Sequence, residues 1–155
     1  MEGLKVLMEN ANRQIRAADH LAYTTYPMIQ DPKLIMKIAG NVRDAMKNAI
    51  EAIVFYDRLY KRVNPLGEGF TSKYDVFRDH CAKRYSIPTE HLLAFEDLSR
   101  ILREHKESPT SFCKGDAVVI CSENYRQVRS ISLDKVKSFL NVGKQFVVKA
   151  NQIIK

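Results

Sequence analysis

The sequence predicts a mostly α fold: a five-helix bundle with long, heptad-like second and last helices and a short β-hairpin before the last helix. Two observations support this. Apolar residues recur at steps of three and four along most of the chain, as they do on one face of a helix. Gly and Pro number only six and five, whereas an all-β protein needs many turn residues. The length predicts a single domain, residues 1–155, with the hairpin inserted at about residues 108–124.

The first helix is predicted over residues 2–23. Its apolar residues lie three or four positions apart: Leu4, Leu7, Ala11, Ile15, Ala18 and Ala22. We expect the helix to end in the segment Thr24-Thr25-Tyr26-Pro27, because the residue before a proline avoids the α conformation.

The second helix is predicted to begin at Asp31 as N-cap, with Pro32 in the first turn. Its apolar seam alternates steps of three and four through Ile35, Ile38, Val42, Ala45, Ala49, Ala52, Tyr56 and Leu59. Ile50 and Val54 add apolar surface on another face. We therefore predict that this helix is central and covered on several sides.

The third and fourth helices follow a loop at residues 64–69. The third is predicted to start near Thr71 or Ser72, where Ser72-x-x-Asp75 resembles a capping box. Pro88 opens the fourth, which closes near Lys106. Its apolar face carries Leu92, Phe95, Leu98, Ile101 and Leu102.

The hairpin and the last helix complete the chain. The β-branched run at residues 117–121 is predicted to pair with residues 111–113. Ser132 caps the last helix, whose apolar seam is Leu133, Val136, Leu140, Gly143, Val147, Ala150 and Ile154. The small residues predict a close approach of Ala45, Ala49 and Ala52 to Gly143 and Ala150. The first, second and last helices are expected to form the core.

The composition favours an intracellular, cytoplasmic protein. Hydrophobic and charged residues make up 45% and 28% of the chain, as in globular proteins. No stretch approaches the roughly 20 apolar residues of a membrane span, so no membrane partner is predicted. The three cysteines are predicted to be free and buried, since Cys113 and Cys121 are too far apart for a zinc motif. No metal or other cofactor is predicted.

Charge is concentrated at the C-terminal end. Residues 124–155 hold seven bases and one acid, which gives +6 of the net +7. This favours RNA or another polyanion as partner, or an acidic protein. The predicted nucleic-acid-binding residues are Tyr125, Arg126, Arg129, Lys135, Lys137, Lys144 and Lys149. Lys137 and Lys144 share one flank of the last helix, and Lys135 and Lys149 share the other. The alternative is an ordinary solvated face of an amphipathic helix.

The layout of long helices with a small appendage resembles the HEPN superfamily, which is known for dimeric helical bundles. Many of its members cleave RNA through an Arg followed, after four to six residues, by a His. Three pairs fit this spacing: Arg13 with His20, Arg84 with His91, and Arg100 with His105. The family usually places Asn, Asp or His directly after the Arg, and this chain has Gln14, Tyr85 and Ile101 there.

Three functions follow as hypotheses. The first is a non-enzymatic binding module for RNA or another polyanion, because the sequence holds no complete catalytic set. The second is a HEPN-like, metal-independent ribonuclease, in which His105 would move protons at the 2′-hydroxyl and Arg100 would hold the phosphate. The third is a protein-interaction scaffold with no nucleic-acid role. A homodimer is predicted because the wide apolar faces exceed what one short chain covers.

Overall fold

The computed structural model describes residues 2–65, 67, 69–108, 110–121 and 128–154. The fold is mostly α, as predicted. The elements are α1 (Glu2–His20), a π-helical turn (Leu21–Thr25), α2 (Tyr26–Ile29), α3 (Lys33–Leu59), α4 (Phe70–Val76), a second π-helical turn (Phe77–Cys81), α5 (Ala82–Arg84), α6 (Thr89–Glu107), β1 (Thr110–Lys114), β2 (Ala117–Cys121), β3 (Val128–Ser132) and α7 (Leu133–Ile153). Each π-helical turn joins two α-helical pieces, so the helical elements form five rods.

The core lies between α1, α3 and α7, as predicted, and α3 is central. Helix α1 runs antiparallel to α3, since Gly3 lies beside the ring of Phe55 and the side-chain amides of Gln14 and Asn48 are 2.7 Å apart. It also runs antiparallel to α7, because Asn12 contacts Asn151 and Asp19 pairs with Lys144. The two long helices α3 and α7 are therefore parallel neighbours. Helix α6 packs on both of them.

Helix α7 packs tightly against α1 and α3 at Gly143. A Cβ atom added there would lie 2.9 Å from Cγ1 of Val42 and 3.1 Å from Cδ1 of Ile15. The predicted close packing of α3 on α7 is confirmed, and the atoms nearest to Gly143 belong to Val42 and Ile15. The small residue is needed because two branched side chains from different helices converge on it.

The predicted end of the first helix before Pro27 is wrong. The N–H of Tyr26 bonds to the carbonyl of Leu21, five residues back, so the π-helical turn carries the rod past this point. Pro27 then lies at the start of α2, directly after the π-helical turn. The rod ends at Gln30, which has a left-handed φ of 55°.

Of the three predicted caps, Ser132 is confirmed, whereas Asp31 bonds to the start of α3 from one position before the N-cap residue, Pro32. Oδ1 of Asp31 accepts the N–H of Lys33 at 3.0 Å, and Oγ of Ser132 accepts the N–H of Lys135 at 3.2 Å. The predicted capping box at Ser72 is wrong, because α4 begins at Phe70 directly after Gly69. Gly69 has a φ of 88°, a conformation open to glycine, and this lets the helix begin before Ser72.

The sheet is antiparallel with the order β1-β2-β3. Its first two strands form the predicted hairpin, in which Phe112 lies opposite Val119. The third strand was not predicted, and it pairs with β2 so that Ile131 lies opposite Val118. Both of these residues are buried in the main core. Cys113 is exposed, so its predicted burial is wrong, whereas Cys81 and Cys121 are buried and all three cysteines are free, as predicted.

None of the helices in the described part of the chain has the length and apolar character needed to cross a membrane.

Candidate anion-binding surfaces

An aromatic ring flanked by two lysines lies where α7 passes the end of α1. The side chain of Tyr23 is 48% exposed. The ammonium nitrogens of Lys137 and Lys144 lie 4.9 Å and 5.2 Å from the centre of its ring. Because the two lysines are seven residues apart, they project from the same flank of α7 and bracket the ring. We call Tyr23, Lys137 and Lys144 the Tyr23 surface.

The Tyr23 surface continues along the seam between α1 and α7. Asn12 and Asp19 both contact α7, and Arg16 lies between them on the same face of α1. Lys144 pairs with Asp19. Neither Arg16 nor Lys137 pairs with a carboxylate in the described part of the chain. The seam thus carries three bases and one acid, and it remains positively charged.

Three other predicted RNA-binding residues, Arg129, Lys135 and Lys149, lie away from the Tyr23 surface. Arg129, on β3, donates from Nε to Oε2 of Glu104 at 2.8 Å, and this pairing neutralises it. Lys135 lies 6.0 Å from the ring of Phe139, on the flank opposite Lys137. Lys149 shares that flank by its spacing of fourteen residues. Tyr125 and Arg126 lie outside the described residues. The predicted set therefore does not form one continuous surface among the residues described.

The predicted catalytic pair is split between two sides of α6. Arg100 forms an ion pair with Asp97, one turn earlier on the same helix. Nδ1 of His105 lies 3.3 Å from Oγ of Ser111 on β1. A separation of five residues rotates the two side chains about 140° apart around a helix. Within one chain this does not place both groups on the same substrate atom, and their role in catalysis stays a prediction.

The other two Arg-His pairs have different environments. Arg84 pairs with Asp57. His91 is buried, and its ring meets that of Phe146 edge-on at 6.0 Å. Arg13 and His20 are both exposed on α1.

A second basic site surrounds Asp57, a fully buried acid in the last turns of α3. Its Oδ2 accepts from Nη1 of Arg84 at 2.7 Å. Its Oδ1 accepts from Nη1 of Arg62 at 3.5 Å and from the hydroxyl of Tyr85. A buried carboxylate is tolerated only when it is paired and hydrogen-bonded, and these donors meet that need. We call Asp57, Arg62, Cys81, Arg84 and Tyr85 the Asp57 cluster.

Two side chains of the Asp57 cluster, Tyr85 and Cys81, have raised pKa values. Burial raises the pKa of Tyr85 to about 12, and the nearby Asp57 carboxylate adds to the effect. Burial, again with Asp57, also raises the pKa of the Cys81 thiol well above its usual range. Both groups therefore stay protonated at neutral pH, and the Tyr85 hydroxyl donates to the carboxylate. A thiol in this state is a poor nucleophile.

The ends of α3 and α5 meet at this cluster. Lys61 and Ser86 each adopt a left-handed φ, 55° and 54°. The N–H of Arg62 then bonds back to the carbonyl of Asp57 at 2.8 Å, which ends α3. The reversed chain brings the guanidinium of Arg62 to 5.6 Å and 5.1 Å from the rings of Tyr56 and Tyr60.

Sequence reasoning missed this cluster, although a signal was present. Asp57 follows Ile50 and Val54 at steps of four and three, so it occupies an apolar row of α3. An acid in such a row predicts a buried carboxylate that needs cationic or hydrogen-bonding partners.

No family model matches the chain, and no curated protein or solved structure matches it significantly. In the described part of the chain, no three His, Cys, Asp or Glu side chains are grouped so that they could hold a metal ion. Function is therefore inferred from the geometry of the two basic sites.

Proposed function

We propose that this chain is a non-enzymatic module that binds RNA, as single strands, or a similar polyanion. The observation that supports the proposal is the half-exposed ring of Tyr23 between the ammonium groups of Lys137 and Lys144. Proteins that bind single strands combine a basic groove for the backbone with aromatic rings on which bases stack.

The spacing of the two lysines suits a strand that passes over the ring. Lys137 and Lys144 are two helical turns apart, about 10 Å along the axis of α7. A base stacked on Tyr23 would have phosphates on either side of it. We expect the lysines, which contact the ring in the unbound protein, to move onto those phosphates. Arg16 then adds a further positive charge along the seam.

The test is a binding assay with labelled single- and double-stranded RNA and DNA at about 50 and about 200 mM salt. We expect the single strands to bind, more weakly at the higher salt. Tyr23→Ala should weaken binding about tenfold, since stacking contributes about 1–3 kcal/mol per base. The matched control is Phe112→Ala, because Phe112 is an aromatic residue with the same exposed fraction, 48%, on β1. No binding at the lower salt would contradict the proposal and favour a protein-interaction scaffold.

The same samples test catalysis when they are resolved on a denaturing gel. Intact RNA agrees with a binding module. Cleaved RNA would contradict the non-enzymatic proposal and support the HEPN-like ribonuclease. In that case His105→Ala should abolish cleavage while binding persists.

A further inference from the structure

We propose that the Asp57 cluster is a second anion site that takes a single phosphate group through Arg62 and Arg84. This site does not depend on RNA binding at the Tyr23 surface. Gly3, at the start of α1, lies beside Phe55 near the end of α3, whereas Tyr23 follows the other end of α1. Twenty residues of helix separate these two points by about 30 Å.

The two arginines are held close together by one carboxylate. Arg84 binds one oxygen of Asp57 and Arg62 binds the other, so the guanidinium groups lie side by side. Their side chains are nevertheless 40% exposed for Arg62 and 36% for Arg84. A guanidinium has five N–H donors, and those of Arg84 are only partly used, by Asp57 and the carbonyl of Arg62. Donors therefore remain for a ligand.

The remaining donors suit a phosphate. Paired guanidinium groups match the oxygens of a phosphate in a forked arrangement that lysine does not reproduce. An arginine usually loses rotamer freedom when it binds a ligand. Here Arg62 is already fixed by Asp57 and by the rings of Tyr56 and Tyr60, so that loss has largely occurred during folding.

The local charge also favours an anion. Residues 56–62 and 82–86 contain five bases, Arg58, Lys61, Arg62, Lys83 and Arg84, and one acid. The acid, Asp57, is fully buried. Its negative charge is paired with the two arginines below the surface, and the exposed part of the cluster is therefore positive. The carbonyl ends of α3 and α5 oppose an anion here, but the N–H groups of Arg62 and Ile87 cover the carbonyls of Asp57 and Ala82.

The phosphate could be inorganic or part of a nucleotide, and the two sources share the same chemistry. The half-exposed ring of Tyr60, 5.1 Å from the guanidinium of Arg62, lies where a base attached to the phosphate could stack. AMP, adenosine and inorganic phosphate therefore serve as three separate probes.

The experiment is a titration of the isotope-labelled full chain, followed by NMR at constant ionic strength with chloride as the reference anion. With inorganic phosphate we expect saturable shifts at the amides of Lys61, Arg62 and Ser86 and at the Nε–H groups of Arg62 and Arg84. AMP should bind at least as tightly as phosphate, and adenosine at least tenfold more weakly than AMP.

Variants make the test specific. Arg62→Lys keeps the charge but loses the fork, so it should weaken phosphate binding at least fivefold. Arg84 still pairs with Asp57 in this variant. Lys61→Ala leaves Asp57 and both arginines unchanged and should weaken phosphate binding about twofold. It is the second test of the site if Arg62→Lys fails to fold. The matched control is Arg103→Lys, exposed on α6 about 20 Å from the start of that helix.

Several results would overturn the site. They are shifts spread evenly over the basic residues, unchanged binding in Arg62→Lys, or adenosine bound as tightly as AMP. The Tyr23→Ala variant separates the two proposals. It should leave phosphate binding at the Asp57 cluster unchanged whatever its effect on RNA.

Discussion

Asp57 is a single buried acid that organises the residues around it. Its carboxylate accepts hydrogen bonds from both arginines and from the Tyr85 hydroxyl, and it helps to raise the pKa of the Cys81 thiol. These partners come from α5 and from the turns that follow α3 and α5, so one side chain ties the end of the central helix to the third rod. The local packing therefore depends on a negative charge at this position.

Replacing Asp57 with alanine should lower the free energy of unfolding by about 3 kcal/mol, the lower part of the range for breaking a buried ion pair. The lower part applies because Arg62 and Arg84 reach solvent and can be hydrated after the change. Urea denaturation at neutral pH measures the effect. Asp44→Ala is the control on the same helix: Asp44 is half exposed and pairs with Arg43, and its loss should cost less than about 1 kcal/mol. Equal effects would contradict the structural role of Asp57.

Tyr85 gives the fold a dependence on alkaline pH. Its pKa is raised from 10.0 to about 12 by burial and by the Asp57 carboxylate. The unfolded chain therefore loses this proton first, and stability present below pH 10 is lost as the pH rises towards about 12.

Tyr85→Phe has no proton to lose, so its free energy of unfolding should fall less steeply than that of the wild type over this range. The measurement is denaturation at a series of pH values. Tyr23→Phe, which changes a half-exposed ring, is the control and should keep the wild-type slope. If Tyr85→Phe kept the wild-type slope of unfolding free energy against pH, the proposed effect of Asp57 and burial on the Tyr85 pKa would be wrong.

Among the elements, the close contact of α1, α3 and α7 depends on one missing side chain. Gly143 lies where Val42 and Ile15 converge. Gly40, in α3, is also helical, but a Cβ atom there would meet nothing within 4 Å. These two glycines therefore separate the effect of packing from the intrinsic helix propensity.

Gly143→Ala should lower the free energy of unfolding by about 1 kcal/mol, because an overpacking cost of about 1–3 kcal/mol outweighs a gain of about 1 kcal/mol in helix propensity. Gly40→Ala should raise it by about 0.5–1 kcal/mol from propensity alone. Thermal and chemical denaturation of both variants measure the difference. Stabilisation by Gly143→Ala would show that the three helices can move apart without loss.

Periodicity predicted the five rods, because steps of three and four are a local property of the chain. It did not predict how Pro27 is accommodated, since the π-helical turn depends on which carbonyl the N–H of Tyr26 selects. The third strand was not predicted, because Val128–Ser132 was assigned only to the basic segment that carries Arg129. Its alternation becomes clear only when Ile131 packs in the core and Arg129 pairs with Glu104.

The candidate sites were predicted only in part. The seven-residue spacing placed Lys137 and Lys144 on one flank of the last helix. Their approach to Tyr23 depends on how α1 packs against α7, which spacing within one helix does not determine. The Asp57 cluster joins residues from α3 with residues from α5, and its one local signal was the acid in an apolar row.

At the scale of the whole molecule, the positive charge of the chain is divided between sites at opposite ends of the bundle. In the described part of the basic C-terminal segment, Lys137 and Lys144 are the lysines that contact Tyr23. The predicted homodimer stays a prediction. Met28 and Ile29 of α2 are exposed apolar side chains that a second copy could cover.

If RNA binds at the Tyr23 surface, its salt dependence should report the number of phosphates contacted there. Replacing both Lys137 and Lys144 with glutamine should reduce the slope of log K against log salt by about 1.4, since each single-strand phosphate contact contributes about 0.7. The control is Lys135→Gln with Lys149→Gln, the same change on the opposite flank. Equal reductions from the two pairs would indicate general electrostatic attraction and contradict a defined path over Tyr23.

The parallel arrangement of α3 and α7, with α1 antiparallel to both, has a consequence for how the chain folds during synthesis. Helices α1 and α3 can pair early, since they are close in sequence. The side of α3 that carries Val42 is covered by α7 only after the last helix has been made, since Val42 packs beside Gly143. Contacts this distant in sequence slow folding. A nascent chain that lacks α7 therefore exposes a long apolar groove. Chains with such exposed apolar surface aggregate readily and are bound by chaperones.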